Sequence, residues 1–532
     1  MNKLRDVSSV MRQVHSRDTG PEKIFRKTLS QAGITYLLKN DDLPGKPDLT
    51  IPKAKIAVFI DGDYWHGGQW IRRGLTCLED QFKHNSNTGY WLKKIRNNMR
   101  RDVRATRELL DRGWKVLRLW ESTINSDVNR CLRIVQKACQ PDHSFRAAES
   151  VIPYKTVAEF FAGIGLVRLG LEQNDWRIVY ANDVDINKRQ MYFQHFGHEP
   201  EKFDLRDIRQ VKSSDIPDVT MATASFPCND TSLAGSRKGL DGEKSSTFWS
   251  FMELLGQMES RRPPLVLVEN VTGFLTSNNG RDFESALIGL NDLGYLVDTF
   301  QIDASYFVPQ SRKRLFIVAV LEDLILDDPS WLGAEVTASV MRPKRLAEFI
   351  SAKKDIKWLI RPLPNIEKCG SGLIDIIEDL EETNAVWWSR ARAEYLLGQM
   401  NATHRSKALR MIDGEDYTYG TVFRRVRNGV TMAELRTDGL AGCLRTPRGG
   451  SARQILFKGG KGGFQVRLLT SRECAGLMGA EEYRIEVPES QALHGFGDAV
   501  VVPVIEWISK YYLGPLTNQL LRGRVFAPQN VN

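Results

Sequence analysis

Nowhere does this sequence run apolar for the roughly 18 residues that a membrane span needs. Its opening stretch, MNKLRDVSSVMRQVHSRD, also lacks the apolar centre of a secretory signal. A cytosolic protein with no membrane partner is expected. CxxC pairs are missing too: the 7 cysteines (Cys77, Cys131, Cys139, Cys228, Cys369, Cys443, Cys474) are scattered and odd in number. That excludes a cysteine-rich zinc site or a redox dithiol and leaves mostly buried, reduced thiols. There is no tandem repeat and no extended low-complexity tract.

A strong excess of one charge is lacking as well. Lys and Arg number 74 against 65 Asp and Glu, a net +9, which suits a polyanionic partner without requiring one. At 42% hydrophobic and 26% charged the composition is that of an ordinary globular protein. The 532 residues exceed the roughly 100–200 typical of one domain, so two or more cores are expected.

The pattern along the chain is α/β twice over. From Glu22 to about Cys139 it reads helix (PEKIFRKTLSQAG), strand (KPDLTIP), strand (KIAVFIDG), long basic helix (YWLKKIRNNMRRDVRATRELLDRG) and strand (WKVLRLW). A polar stretch, 141–153, reads as a linker. From 154 to 321 apolar strands (KTVAEFFAGIG, WRIVYANDVD, DVTMATASF, PLVLVEN, LFIVAV) alternate with helix-like segments, which predicts a mostly parallel, doubly wound sheet. Between 322 and 464 the pattern breaks into irregular Gly- and Arg-containing sequence, expected to form a small domain or a set of DNA-facing loops. Residues 465–532 return to the core.

In the second unit FAGIG follows a strand and precedes a helix, so a ligand can approach backbone at a helix N-terminus. Alone, it is equally a plain tight turn. Asp183, at the next strand end, can accept from a ribose diol or serve as a cap. Cys228 in SFPCND stands after Pro227 at a strand C-terminus, facing the crevice where such sheets bind ligands. Glu269 and Asn270 end the following strand. Thiol and carboxylate thus converge, a pairing suited to adding a thiolate to an aromatic base while an acid, raised in pKa by burial, protonates the ring.

The ordered set FAGIG, ND, SFPC, ENV, QSRKR, RECAGLMG and GDAVVVPV, over residues 154 to 520, resembles the bacterial DNA cytosine-5 methyltransferases. The resemblance implies that Phe161, Gly163, Gly165, Asp183 and Asp207 hold S-adenosylmethionine. Cys228 would be the nucleophile toward cytosine C6, and Glu269 and Asn270 would grip the base. Gln310, Arg312 and Arg314 would line the site and contact DNA, with Arg312 nearest a cytosine flipped from the duplex. It also makes 322–464 the target-recognition region, with Arg445, Arg448 and Arg453 facing guanine edges or phosphates. Asn229 stands where many members have Gln, and Asp498 where many have Asn. The implied partner is double-stranded DNA in the bacterial cytoplasm, at the nucleoid.

In residues 1–140, Asp48 and Asp61 at neighbouring strand ends form an oxygen-rich pair suited to Mg²⁺, and His66 can deprotonate water. PEKIFRKTL, LPGKPDL, VFIDGDYWHGG, KIRNNMRRD and GWKVLRLWES together resemble the very-short-patch repair endonucleases, which implies a restriction-endonuclease-like α/β fold. By that resemblance Asp48 is a metal ligand, His66 and Asp102 assist hydrolysis, Glu22 joins the acidic cluster, and Trp65, with Tyr64, wedges into the base stack. Asp63, Gly68 and Ser122 occupy the family's zinc-ligand positions, so no zinc is expected. Asp61 replaces a histidine. The chain then reads as cytosine methylation joined to a Mg²⁺ nuclease for T·G mismatches. A fused restriction-modification enzyme and a degenerate DNA-binding nuclease domain are the alternatives.

Overall fold

The computed structural model describes residues 18–139, 155–226, 247–322, 336–446 and 453–526, apart from 39, 74, 76–77, 84, 86, 382, 428 and 522–524. The N-terminal unit opens with α1 (Gly20–Gln31), started by the Thr19 side chain accepting from Glu22 N–H and by a proline in the first turn. It continues through β1 (Leu49–Ile51), β2 (Ile56–Asp61), α2 (Thr88–Asp111), β3 (Lys115–Trp120) and α3 (Val128–Ala138). Strands β2 and β3 are parallel and β1 is antiparallel to β2. Phe25 and Leu29 of α1 and Cys131 and Val135 of α3 pack with Val58 and Leu117 into one core.

The large sheet holds β4 (Thr156–Phe160), β5 (Arg177–Asn182), β6 (Phe203–Asp204), β7 (Met221–Ala224), β8 (Leu265–Val271), β9 (Tyr295–Asp303) and β10 (Lys313–Leu321). Its order is β6-β5-β4-β7-β8-β10-β9. The strands from β6 to β8 run parallel, while β10 is antiparallel to both β8 and β9. The expected doubly wound sheet is therefore present with one reversed strand. Strands β4, β7 and β8 are covered on both faces, which is why their sequences are near-continuous apolar runs rather than alternating ones. Helices α4 (Leu166–Glu172), α5 (Ile186–Phe196), α6 (Thr247–Gln257) and α7 (Arg281–Asp292) connect them.

The region expected to be irregular is more ordered than its sequence suggests. Helix α8 (Lys344–Ala352) and the residues after it put Leu346, Ile350, Ile356 and Ile360 against the large sheet's own core. A separate antiparallel sheet, β12-β11-β13-β14, is formed by β11 (Thr418–Arg427), β12 (Val430–Arg436), β13 (Ile455–Gly460) and β14 (Gly463–Leu468). Helices α9 (Arg390–Gly398) and α10 (Ala402–Ile412) share its core. A boundary at 464 falls inside β14, so the unit holding this sheet runs to 468 and the first part of 322–464 packs on the large core.

Helices α11 (Ser471–Leu477), α12 (Glu489–Asp498), α13 (Val502–Ile508) and α14 (Gly514–Leu521) follow, with a π-helical turn at Ser509–Leu513. The stretch Glu489–Thr517 has the length and hydropathy of a membrane span, but 67% of its most apolar window is buried inside the protein, which makes it a core element. The chain then returns to the first unit. β15 (Val525–Phe526) pairs antiparallel with β3, Val525 opposite Leu117 and Phe526 opposite Val116.

Candidate active sites

The turn after β4 is built for a close ligand. Phe161, Gly163 and Gly165 all have positive φ (56°, 57° and 81°). A Cβ on Gly165 would lie 2.4 Å from the Phe196 ring, whereas on Gly163 its nearest neighbour would be 4.0 Å away, leaving open room above the turn. Asp183 receives Gly163 N–H at 2.8 Å and Asp185 N–H at 2.9 Å. Burial raises its pKa against the pull of Lys188 and these donors. The next residue, Val184, is 65% exposed, and Ile186 is exposed as well. Sequence reasoning missed this apolar platform beside the acid, although a hydrophobe directly after a strand-end carboxylate was there to be read.

Asp207 is held by Arg209, whose guanidinium keeps its carboxyl below the usual range. Asp498 is paired with Lys188 Nζ at 2.8 Å. A glycine cradle, an acid and an apolar platform together fit a nucleoside cofactor of the S-adenosylmethionine type.

Cys228 lies outside the described residues. The backbone leading to it is fixed, because Asn270 Nδ2 donates to the carbonyl of Phe226 at 3.2 Å while its Oδ1 accepts from Val271 N–H at 2.8 Å. Glu269, 9% exposed, forms an ion pair with Arg314 Nε at 2.9 Å. Register explains the pair. Arg314 lies opposite Val271, two residues from Glu269 and on the same face of the sheet.

Arg312 and Gln310 have other employment. Arg312 is buried and donates to the carbonyls of Leu444 (2.8 Å), Gly497 (3.2 Å) and Ala499 (2.7 Å), with burial lowering its pKa to about 10. Arg314, not Arg312, is therefore the arginine paired with Glu269. Gln310 is fully buried, its amide spent on Leu477 O and Leu444 N–H, so the expected DNA contact from it is corrected to a structural tie. Cys443 lies 3.3 Å from Arg312. Burial pushes its thiol up, but the two guanidinia outweigh that and bring it below its ordinary value. Arg445 is exposed. Arg453 lies 3.9 Å from Glu489, and Arg448 is outside the described residues.

The N-terminal cluster divides the expected metal pair. Asp61 sits in the fork of Arg118 at 2.8 and 2.6 Å, and the same guanidinium reaches Asp102 at 2.8 Å. His66 Nδ1 is 2.7 Å from Asp102 and 3.4 Å from Asp61, so these three could share a cation only in competition with Arg118. Asp48 stands apart, accepting Ile60 N–H at 2.6 Å. Burial raises its pKa to about 6, with the Ile60 N–H opposing and the Glu22 charge adding to the rise. Two neighbouring acids of this kind fit a hard cation. Asp61 is thus paired with Arg118 within the Asp61–His66–Asp102 group, while Asp48 lies under the influence of the Glu22 charge.

At the three zinc-ligand positions Ser122 donates to Asp63 from Oγ (2.7 Å) and N–H (3.2 Å), and the Trp120 ring lies where a Gly68 Cβ would come within 2.6 Å of it. Trp65 and Tyr64 are half-buried in an aromatic group with Trp91 rather than standing free, and Lys94 caps the Trp65 ring. The exposed aromatic here is Tyr90, which sequence reasoning passed over.

The family model for C-5 cytosine-specific DNA methylases matches residues 155–513. The chain belongs to that family. It is a DNA cytosine-5 methyltransferase with a second unit, since the model for the DNA mismatch endonuclease Vsr matches residues 3–72. The Type II methyltransferase M.HhaI of Haemophilus parahaemolyticus is 27% identical over 369 residues, covering 68% of this chain and 94% of that one. M.NgoBI of Neisseria gonorrhoeae is 27% identical over 357 residues, covering 66% and 91%. Among solved structures, S. pombe Dnmt2 methyltransferase aligns with a TM-score of 0.44 at 17% identity, over 68% of this chain and 99% of that one.

Proposed function

We propose that the methyltransferase transfers a methyl group to C5 of a flipped cytosine in duplex DNA through Cys228, acting in the bacterial cytoplasm. The supporting observation is the end of β8, where Glu269 is oriented by Arg314 and Asn270 tethers the backbone two residues before Cys228. The Cys228 thiolate adds to C6, and Glu269 serves N3, where charge would otherwise build up. This makes C5 nucleophilic. S-adenosylmethionine, held by Phe161, Gly163, Gly165, Asp183 and Asp207, supplies the methyl group. Loss of the C5 proton then expels the thiolate. Bisulfite sequencing of DNA from cells expressing the protein tests the reading and reveals the target site; unmethylated DNA in the presence of folded protein would sink it.

For the N-terminal unit we propose a Mg²⁺-dependent nuclease that nicks beside T·G mismatches, the lesions left when 5-methylcytosine deaminates. His66, oriented by Asp102, would take the proton from water. Asp48 and Glu22 would hold Mg²⁺, which lends charge stabilisation at the phosphate. The Vsr match supports mismatch repair. The kinship to Type II methyltransferases supports the second reading, restriction. Nicking of a T·G duplex but not a matched unmethylated one decides for repair, and equal cutting decides for restriction.

A further inference from the structure

A cavity of about 190 Å³ lies between the two units. One wall comes from α2 and β3 of the nuclease unit, the other from the start of β4, the end of α4 and the π-helical turn Ser509–Leu513. The walls are fixed to each other, since Arg107 of α2 donates to the Asp175 carbonyl. Of the residues named in the two proposed reactions, only Asp102, which orients His66, borders this space.

Its lining asks for an anion. Arg118 is 4% exposed and Ser509 fully buried, yet among the described residues Arg118 Nη1 and Ser509 Oγ have no hydrogen-bond partner. Buried donors are rarely left so, because each costs its full desolvation when unmatched. The buried Lys155 lines the same space, and exposed Arg100 and Lys510 stand at its edge. Arg96 and Glu79 are paired with each other, as are Arg118 and Asp102, so the lining cations exceed the lining acids. Much of the remaining lining is apolar, with Trp70 and Tyr511 among the walls. A π-helical turn inserted in an α-helix is itself a frequent mark of a functional site.

We propose that this cavity binds a phosphate monoester carried on a flat, apolar body, the chemistry of a nucleoside monophosphate. The phosphate meets Arg118 Nη1, Ser509 Oγ and the neighbouring cations, and the base lies against the aromatic wall. A volume of about 190 Å³ admits such a molecule and not a duplex. Because Arg118 also neutralises Asp61 and Asp102, the ligand would touch the nuclease cluster through a shared guanidinium.

The test is calorimetric titration of the full-length protein, with S-adenosylhomocysteine saturating the methyltransferase, using dCMP, inorganic phosphate and a short single-stranded oligonucleotide as probes. The expected result is dCMP binding, with phosphate competing more weakly. Arg100→Glu and Lys510→Glu should each weaken dCMP by about tenfold or more, and Ser509→Ala by a few-fold, while affinity for S-adenosylhomocysteine stays unchanged. Absence of dCMP binding, binding indifferent to all three substitutions, phosphate as tight as dCMP, or binding of the oligonucleotide alone would each overturn the proposal.

Discussion

Arg314 and Glu269 meet diagonally across the antiparallel pair β10 and β8, with Nε 2.9 Å from Oε1. The guanidinium thus fixes the carboxyl at the strand end, instead of leaving burial alone to define its position. Glu269→Gln should cut turnover by about 10²-fold or more, since a group that stabilises developing charge is lost. Arg314→Met should slow turnover too, by misplacing Glu269. Single-turnover rates on hemimethylated and unmethylated duplexes measure both, and a near-normal rate for Glu269→Gln would mean that another group serves N3.

Cys228→Ser is expected to abolish methyl transfer while cofactor binding persists, because a hydroxyl at neutral pH is too weak a nucleophile for cytosine C6. Trapping on 5-fluorocytosine DNA provides the readout. The wild type should form a covalent complex and the variant none; substantial methylation by the folded variant would refute the mechanism.

Asp48 couples pH to both activity and stability. With its folded pKa near 6 against an ordinary 3.8, the native protein keeps a proton that the unfolded chain has released between about pH 4 and 6. Stability therefore falls as pH rises through that window and levels off above it. Asp48→Asn should raise stability at pH 8 by about 1–3 kcal/mol, abolish metal-dependent nicking and leave methylation intact. Nicking by the wild type should climb from pH 5 to 7. Thermal melts and a nicking assay over this range, with a methylation assay of the variant, check these outcomes, and a variant that still nicks would remove Asp48 from the metal site.

The Asp63–Ser122 hydrogen bonds join two segments across the N-terminal unit. Asp63→Ala leaves the partners of a buried carboxylate unmatched, at about 1–3 kcal/mol, while Gly68→Ala drives a methyl into the Trp120 ring. Both should lower the melting temperature, and a zinc chelator should not change it. A chelator-sensitive melt would show that metal does this work.

Much of the large sheet was legible because strands buried on both faces write themselves as apolar runs, and the glycine turn and ENV strand end followed from them. The two arginines of QSRKR were not separable in that way. Which one meets Glu269 depends on the register between β8 and β10, which is a tertiary property. The pairing of Asp61 with Arg118 was not legible, because that partner is 57 residues away on the next strand. The small antiparallel sheet β11–β14 went unread because its strands carry arginines and glycines on a half-exposed surface, where alternation is blurred. β15, two residues long, carries no signal of its own.

The return of β15 to β3 sets an order in time. Ribosomes deliver β3 early, and its open edge then waits for residues 525 and 526, some 400 positions later. At about 5–20 residues per second that is a delay of tens of seconds, during which the methyltransferase half is made. The four-stranded sheet of the N-terminal unit acquires its last strand only after the methyltransferase half has been synthesised.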